Sequence, residues 1–323
     1  MRRTFVGMVL LAVPVCLLFS VTIFGGAVSL SLSDVWNALW GRGEPFALDV
    51  VWQIRVPKAL TAFLAGISLA VSGLVLQSVF RNPLAGPFVL GVSSGANLGV
   101  ALVLLAGFGS SLGLVPCAAV GAFGVVLLVL FASRFVSRSV SLLIVGLMIG
   151  YFVDAVVSTL MAFGPAEGLH GFVTWGLGSF SRTSLAEIPG FALAVCCGAL
   201  PCALCIRYLN AAQVGESFAR TLGIRVKLSR TLVLFGASLL AAASTVYCGP
   251  VGFLGLASPH IAYGIFRTTN HRTLLAGSAL VGANLALLSG LVTAIPLSSV
   301  TSLVGAPIVL WIFLRGRRGG ENA

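Results

Sequence analysis

Residues 55–87 read RVPKALTAFLAGISLAVSGLVLQSVFRNPLAGP, and nothing between Lys58 and Arg81 carries a charge. A helix of about 20 apolar residues, each rising about 1.5 Å, crosses the roughly 30 Å hydrocarbon core of a bilayer. Gly66, Ala70 and Gly73 fall on one face of such a helix. Small residues at that spacing let membrane helices approach closely where lipid removes the hydrophobic drive for association. The segment reads as a membrane span packed inside a bundle.

The rest of the chain repeats the pattern. Its 323 residues are 58% hydrophobic and 8% charged with a mean hydropathy of +1.09, whereas soluble chains carry roughly a quarter charged residues. Apolar segments run approximately over 5–28, 59–80, 87–107, 112–132, 140–163, 188–206, 231–248, 251–266, 273–294 and 300–314. The expected fold is all-α: one polytopic membrane domain over 1–323 with about ten spans, the short, glycine-rich eighth being partly re-entrant. The run from Phe5 to Val28 exceeds a signal-peptide core of up to about 15 residues and reads as an uncleaved first span. Two inverted repeats would set spans 2–5 against spans 7–10. The recurrence of Gly95-Ala96-Asn97-Leu98 as Gly282-Ala283-Asn284-Leu285 joins span 3 to span 9 and does not supply that offset.

The net charge of +11 is spread in short clusters between apolar runs, which argues for topology signals and against nucleic acid. With both termini cytoplasmic, Arg2, Arg3, Arg81, Arg134, Arg138, Arg207, Arg220, Arg225, Lys227, Arg230, Arg267, Arg272, Arg315, Arg317 and Arg318 lie inside. Arg42, Arg55, Lys58 and Arg182 lie outside with Asp34, Glu44, Asp49, Glu167 and Glu187, the asymmetry of the positive-inside rule. Trp36, Trp40, Trp52 and Trp175 fall at the outer boundary. The external loop 29–53 should hold a surface helix over Val35–Trp40 with Ser33-Asp34 as its N-cap. The cytoplasmic loop 208–230 should hold a second short helix, from Gly215-Glu216-Ser217-Phe218-Ala219-Arg220 to a glycine stop at Gly223. Phe218 and Leu222, four apart, want a partner surface there.

Two punctuated stretches narrow the reading. The first joins Arg55-Val56-Pro57-Lys58 to Gln77, Arg81-Asn82-Pro83-Leu84-Ala85-Gly86-Pro87 and Leu90-Gly91-Val92-Ser93-Ser94-Gly95-Ala96. The second is Gly249-Pro250-Val251-Gly252-Phe253-Leu254-Gly255-Leu256-Ala257-Ser258-Pro259-His260, followed by Asn270-His271-Arg272 and Gly305-Ala306-Pro307. Together, over roughly residues 50–315, they closely resemble the FecCD family, the permease subunits of bacterial ABC importers for ferric siderophores, haem and vitamin B12. The resemblance implies a homodimer or a pair of paralogous permeases in the inner membrane. It also implies two cytoplasmic ATPase subunits that bind the ATP and Mg, and an external substrate-binding protein.

No GxxxxGK[ST] loop occurs in this chain, in keeping with a non-catalytic subunit that binds no cofactor or metal of its own. Carried over residue by residue, the resemblance makes Glu216, Phe218, Arg220, Leu222 and Gly223 the helix coupled to the ATPase. It makes Ser139 and Val140 a cytoplasmic gate, and Arg55 a docking contact for a carboxylate of the binding protein. Asn82, Pro83, Gly91, Gly95, Gly249, Pro250, Gly255, Pro259 and His260 form the structural motifs. The ninth span departs from the family pattern: Leu288–Ala294 lacks the usual Asp and Arg, and Ile295-Pro296-Leu297-Ser298-Ser299 replaces an acidic, proline and glycine loop. Arg55 is left as the docking candidate.

Other residues read more plainly. Cys16, Cys117, Cys196, Cys197, Cys202, Cys205 and Cys248 lie in or beside apolar stretches, and Cys202-x-x-Cys205 has no acidic or histidine partner, so these thiols act as small hydrophobes. His260 follows Pro259 at a helix break and should bond freed backbone. Asp154 lies well inside a span where the family has no acid. It should point inward, either bonded locally near Ser158 and Thr159 or lining a pathway. An ion-coupled secondary transporter is the competing class and would need several such intramembrane groups.

Overall fold

The computed structural model describes residues 2–26, 28–136 and 139–320, with the side chains of 2, 3, 139, 140 and 311–320 outside that description. In chain order the helices are α1 (Arg2–Phe24), α2 (Leu32–Leu39), α3 (Pro45–Asp49), α4 (Val56–Phe80), α5 (Val92–Leu104), α6 (Leu114–Ala132), α7 (Ser139–Phe163), α8 (Ala166–Gly176), α9 (Ile188–Leu204), α10 (Ile206–Val214), α11 (Glu216–Thr221), α12 (Val226–Cys248), α13 (Leu254–Phe266), α14 (His271–Leu291) and α15 (Leu297–Gly320). A π-helical turn, Val50–Arg55, joins α3 to α4, and 3₁₀ turns cover Pro87–Leu90 and Leu185–Glu187. Among the described residues there is no strand.

Each of the ten apolar segments is helical. Among the described residues seven helical stretches are long and apolar enough to cross a membrane: those of α1, α3 through α4, α6, α7, α9, α12 and α14, with α5 and the apolar part of α15 shorter. The eighth segment is short indeed: α13 has 13 residues, about 20 Å of helix. Its first turn follows Phe253, held in the left-handed region at φ 62°.

Burial separates centre from rim. The span containing α4 is 78% buried and that of α12 72%, against 17% for α1 and 28% for α6 and α7. α4 packs on α12, α13 and α14, while α5 pairs with α6 and α7. The small residues make this possible: a Cβ on Gly66 would run into the backbone of Gly282, and a Cβ on Gly282 into the Gly66 carbonyl. The α4–α14 contact is thus backbone against backbone, the geometry expected of glycines at a membrane-helix seam.

Three segments differ from their expected form. The surface helix α2 begins earlier, capped by Ser31 rather than Ser33, with Asp34 completing a capping box: the Ser31 hydroxyl accepts from Asp34 N–H and the Asp34 carboxylate accepts from Ser31 N–H. The rest of the 29–53 loop is not irregular, since α3 and the π turn run straight into α4. The expected loop 208–230 is mostly helical: α10 buries Tyr208, Leu209, Ala211 and Ala212 against the bundle before α11 begins. Trp175 closes the inner side of α8, 2% exposed with the Arg182 guanidinium 5.9 Å from its ring centre, so it is a core residue and not an interfacial one. Trp36 and Trp40 are exposed.

Candidate functional site

At the basic end of the bundle, α11 follows α10 and rests on the start of α12. Its stop is a Schellman motif: Ile224 N–H donates to the Ala219 carbonyl at 3.2 Å and Gly223 N–H to the Arg220 carbonyl at 3.0 Å, with Gly223 at φ +72° where a side chain would be strained. Ala219 is fully buried under the helix, and the Glu216 carboxylate lies 3.8 Å from Arg230, the fifth residue of α12. Glu216 therefore anchors α11 to its own chain. Arg220 and the apolar Phe218 and Leu222 face outward. They are joined by Val214 at the end of α10, 68% exposed, which a loop reading of 208–230 could not place. Beneath them burial pushes the Tyr208 phenol up to about 12, with the Glu216 carboxylate adding to the shift, so it is a neutral hydroxyl at any ordinary pH.

The same end is knitted by polar side chains. His271, fully buried at the start of α14, places Nδ1 2.9 Å from Asn210 Oδ1 on α10 and Nε2 2.6 Å from Ser78 Oγ on α4. Arg81 Nε donates to the Ala212 carbonyl at 2.9 Å. His260 Nε2 donates to the Pro83 carbonyl at 2.9 Å, the backbone freed by the turn after α4, where Asn82 Oδ1 accepts from Leu84 N–H. A cavity of about 340 Å³ opens between these groups.

At the opposite end, Arg55 is turned into the protein. It is 4% exposed, and its guanidinium donates to the carbonyls of Ile23 at 3.0 Å, Phe24 at 2.9 Å and Val28 at 2.7 Å. Those are carbonyls at and beyond the C-terminus of α1, which a helix leaves unsatisfied. The rim position expected for Arg55 is corrected on this account: the charge serves as an internal cap. Lys58, one turn further, instead lines an open cavity of about 290 Å³ with Ser179, Ser181 and Thr293.

The remaining candidates separate by role. Asp154 is exposed on α7, and Ser158 and Thr159 donate to the backbone carbonyls of Asp154 and Ala155 rather than to its carboxylate. The local bonding expected of Asp154 is therefore not found, and Val153 and Val157 form the buried face of α7 within this chain. Ser139 and Val140 open α7, and their side chains lie outside the described residues. Gly91 and Gly95 bring α5 against Gly150 and Gly121, Gly255 lets α13 meet the Leu69 carbonyl, and Gly249 turns the chain beside the Trp175 carbonyl ahead of Pro250. Pro259 is buried inside α13. Among the described residues no group of three or more His, Cys, Asp or Glu could hold a metal.

The chain is 36% identical over 314 residues to the vitamin B12 import system permease protein BtuC of Shigella boydii, covering 90% of this chain and 91% of the relative. It is 37% identical over 314 residues to that of Salmonella arizonae, again covering 90% and 91%. A solved inward-facing conformation of a metal-chelate type ABC transporter superposes with a TM-score of 0.84 at 31% identity, covering 95% of this chain and 98% of that one. PsaBC from Streptococcus pneumoniae, at 17% identity and a TM-score of 0.55 over 80% of this chain and 90% of that one, shares the fold. The profile of the FecCD transport family matches residues 12–315, and the chain is a member of that family.

Proposed function

We propose that this chain is the permease subunit of an ABC importer that moves a bulky chelate, a ferric siderophore, haem or cobalamin, inward across the bacterial inner membrane. Both termini are cytoplasmic, and the power comes from ATP and Mg bound by separate ATPase subunits. The observation that carries the reading is the exposure of three large apolar side chains at the basic end, Val214 at the end of α10 and Phe218 and Leu222 on α11 and its C-cap. Such a patch outside the lipid is costly unless a partner covers it. On the external face, a binding protein docks over the cavity edged by Lys58. Docking through Arg55 would require its three carbonyl bonds to break.

The exposed Asp154 face of α7 adds a second permease copy or paralogue. A carboxylate at bilayer depth costs about 3 kcal/mol against lipid, so this face turns to a water-filled path between two permeases. Among the described residues Asp154 is the one carboxylate deep in a span, which supplies no relay for an ion-coupled carrier. The test is reconstitution in liposomes with the cognate ATPase and binding protein. Uptake of labelled chelate that needs ATP and survives collapse of ion gradients supports the proposal; uptake driven by a proton or sodium gradient without ATP refutes it.

A further inference from the structure

The short helix α2 shows three faces where a helix resting on a bundle in water needs two. With about 100° of turn per residue, Val35 and Ala38 point together into the protein and are fully buried. Ser33, Asp34 and Asn37 gather the polar groups on a second, exposed face. Leu32, Trp36 and Trp40, spaced by four, make a third face that is uncharged and 72%, 57% and 69% exposed. Its two indoles meet edge to face with ring centres 6.3 Å apart.

Packing fixes the height of this helix. Val35 and Ala38 share a small cluster with Ile23, in the last turn of α1, and with Val51, Val56 and Ala59, where the π turn enters α4. Trp52 Nε1 donates to the Ala38 carbonyl at 2.9 Å and ties the end of α2 to the same junction. α2 therefore lies level with the ends of two spans, at the depth of lipid headgroups rather than above them. It is also at the rim, because α1 is the least buried of the seven spanning stretches, at 17%. Indoles suit that depth, with an apolar ring and a polar N–H. Side by side in water, three large apolar side chains would be costly, and the face of α2 suited to water is the polar one.

We propose that Leu32, Trp36 and Trp40 insert among the headgroups and upper acyl chains of the bilayer, so that α2 is an interfacial anchor holding the end of α1 in place. The partner is the lipid surface itself. A helix that lies in an interface shows an apolar face to the acyl boundary and a polar face to water; α2 adds a third face for the bundle. The inserted face carries no charge, so zwitterionic and anionic lipids serve it alike. That the leaflet is the outer one rests on both termini being cytoplasmic; the insertion does not.

The experiment places the full-length permease in nanodiscs whose phospholipids carry bromine on the upper acyl chain, a contact quencher of indole fluorescence, with iodide as the quencher in water. Trp36→Phe/Trp40→Phe removes the two reporters while keeping the face apolar, and the difference from wild type is their signal. That signal should be quenched by the brominated lipid, in zwitterionic and in anionic nanodiscs, and not by iodide. Quenching by iodide alone overturns the insertion. Protection from iodide that arises only when the purified binding protein is added overturns it in favour of a protein-docking face. Trp36→Ser/Trp40→Ser should lower the melting temperature in nanodiscs while the phenylalanine pair does not; an unchanged melting temperature in the serine pair overturns the anchor. An inverted topology would move the anchor to the other leaflet and leave the quenching as it is, so thiol labelling at Gly43 reads that failure separately.

Discussion

Arg55 shows how one side chain can be read in two ways from sequence. A cation at the end of a span looks like a rim group, because hydropathy registers only its charge. Its three acceptors come from the far end of another helix, α1, and no local pattern announces that pairing. Hydrogen bonds from a charged donor contribute about 1.5–3 kcal/mol each, so Arg55→Gln should cost about 3 kcal/mol of stability. That would be read as a lower melting temperature in detergent, with external docking on the folded fraction unchanged. Normal melting together with lost docking would return Arg55 to the rim. Asp154 is the converse case: its type and depth were legible, its direction was not, because which side of α7 faces the bundle depends on partners far away in sequence. Asp154→Asn should leave assembly and stimulated ATP hydrolysis intact. It should shift preference between cationic and anionic chelates on the order of tenfold, the scale of one charge acting across a wet path. Identical preference before and after would count against a pathway lined by this face.

Among the elements, α11 was legible nearly to the residue, since a glycine stop, an acidic first turn and an i, i+4 apolar pair all lie within one short window. α10 was not: its amphipathic side buries Tyr208 and Leu209, but Arg207 and Asn210 break the apolar run that marks a span. Leu222→Asp should weaken ATPase binding by about a hundredfold, since a charge placed under an apolar partner surface is desolvated without a counterion. Insertion and melting of the permease should be unchanged, because Leu222 is 58% exposed. Co-purification with the ATPase measures this directly, and a full complement of bound ATPase would remove α11 from the interface. The Ser31 cap of α2 was missed by two residues for a simple reason: Ser31 and Ser33 both precede Asp34, and only the spacing of three closes a capping box.

For the whole molecule, ten helical segments were readable because each is a long uncharged run. What the runs do not reveal is their rank from centre to rim, which is set by where glycines meet. Orientation follows from charge asymmetry and is open to test in a background lacking the native cysteines, of which Cys16, Cys196 and Cys197 are exposed. Cysteines placed at Gly43 and Glu167 should react with an impermeant thiol reagent added outside cells, and one at Gly215 should react only after the membrane is opened. The reverse labelling would invert the topology.

The reciprocal glycine contact between Gly66 and Gly282 has a mechanical consequence. Helices whose backbones touch have no compressible side-chain layer between them, so α4 and α14 behave as a welded beam, and Gly73 against Gly255 fastens α13 to the same beam. α7 lies outside this beam, packed on α5, α6 and the turn Pro87–Leu90 with most of its length exposed. Under the proposed coupling role of α11, a pull on it would reach the beam through α10, whose Asn210 and Ala212 are bonded to His271 and Arg81.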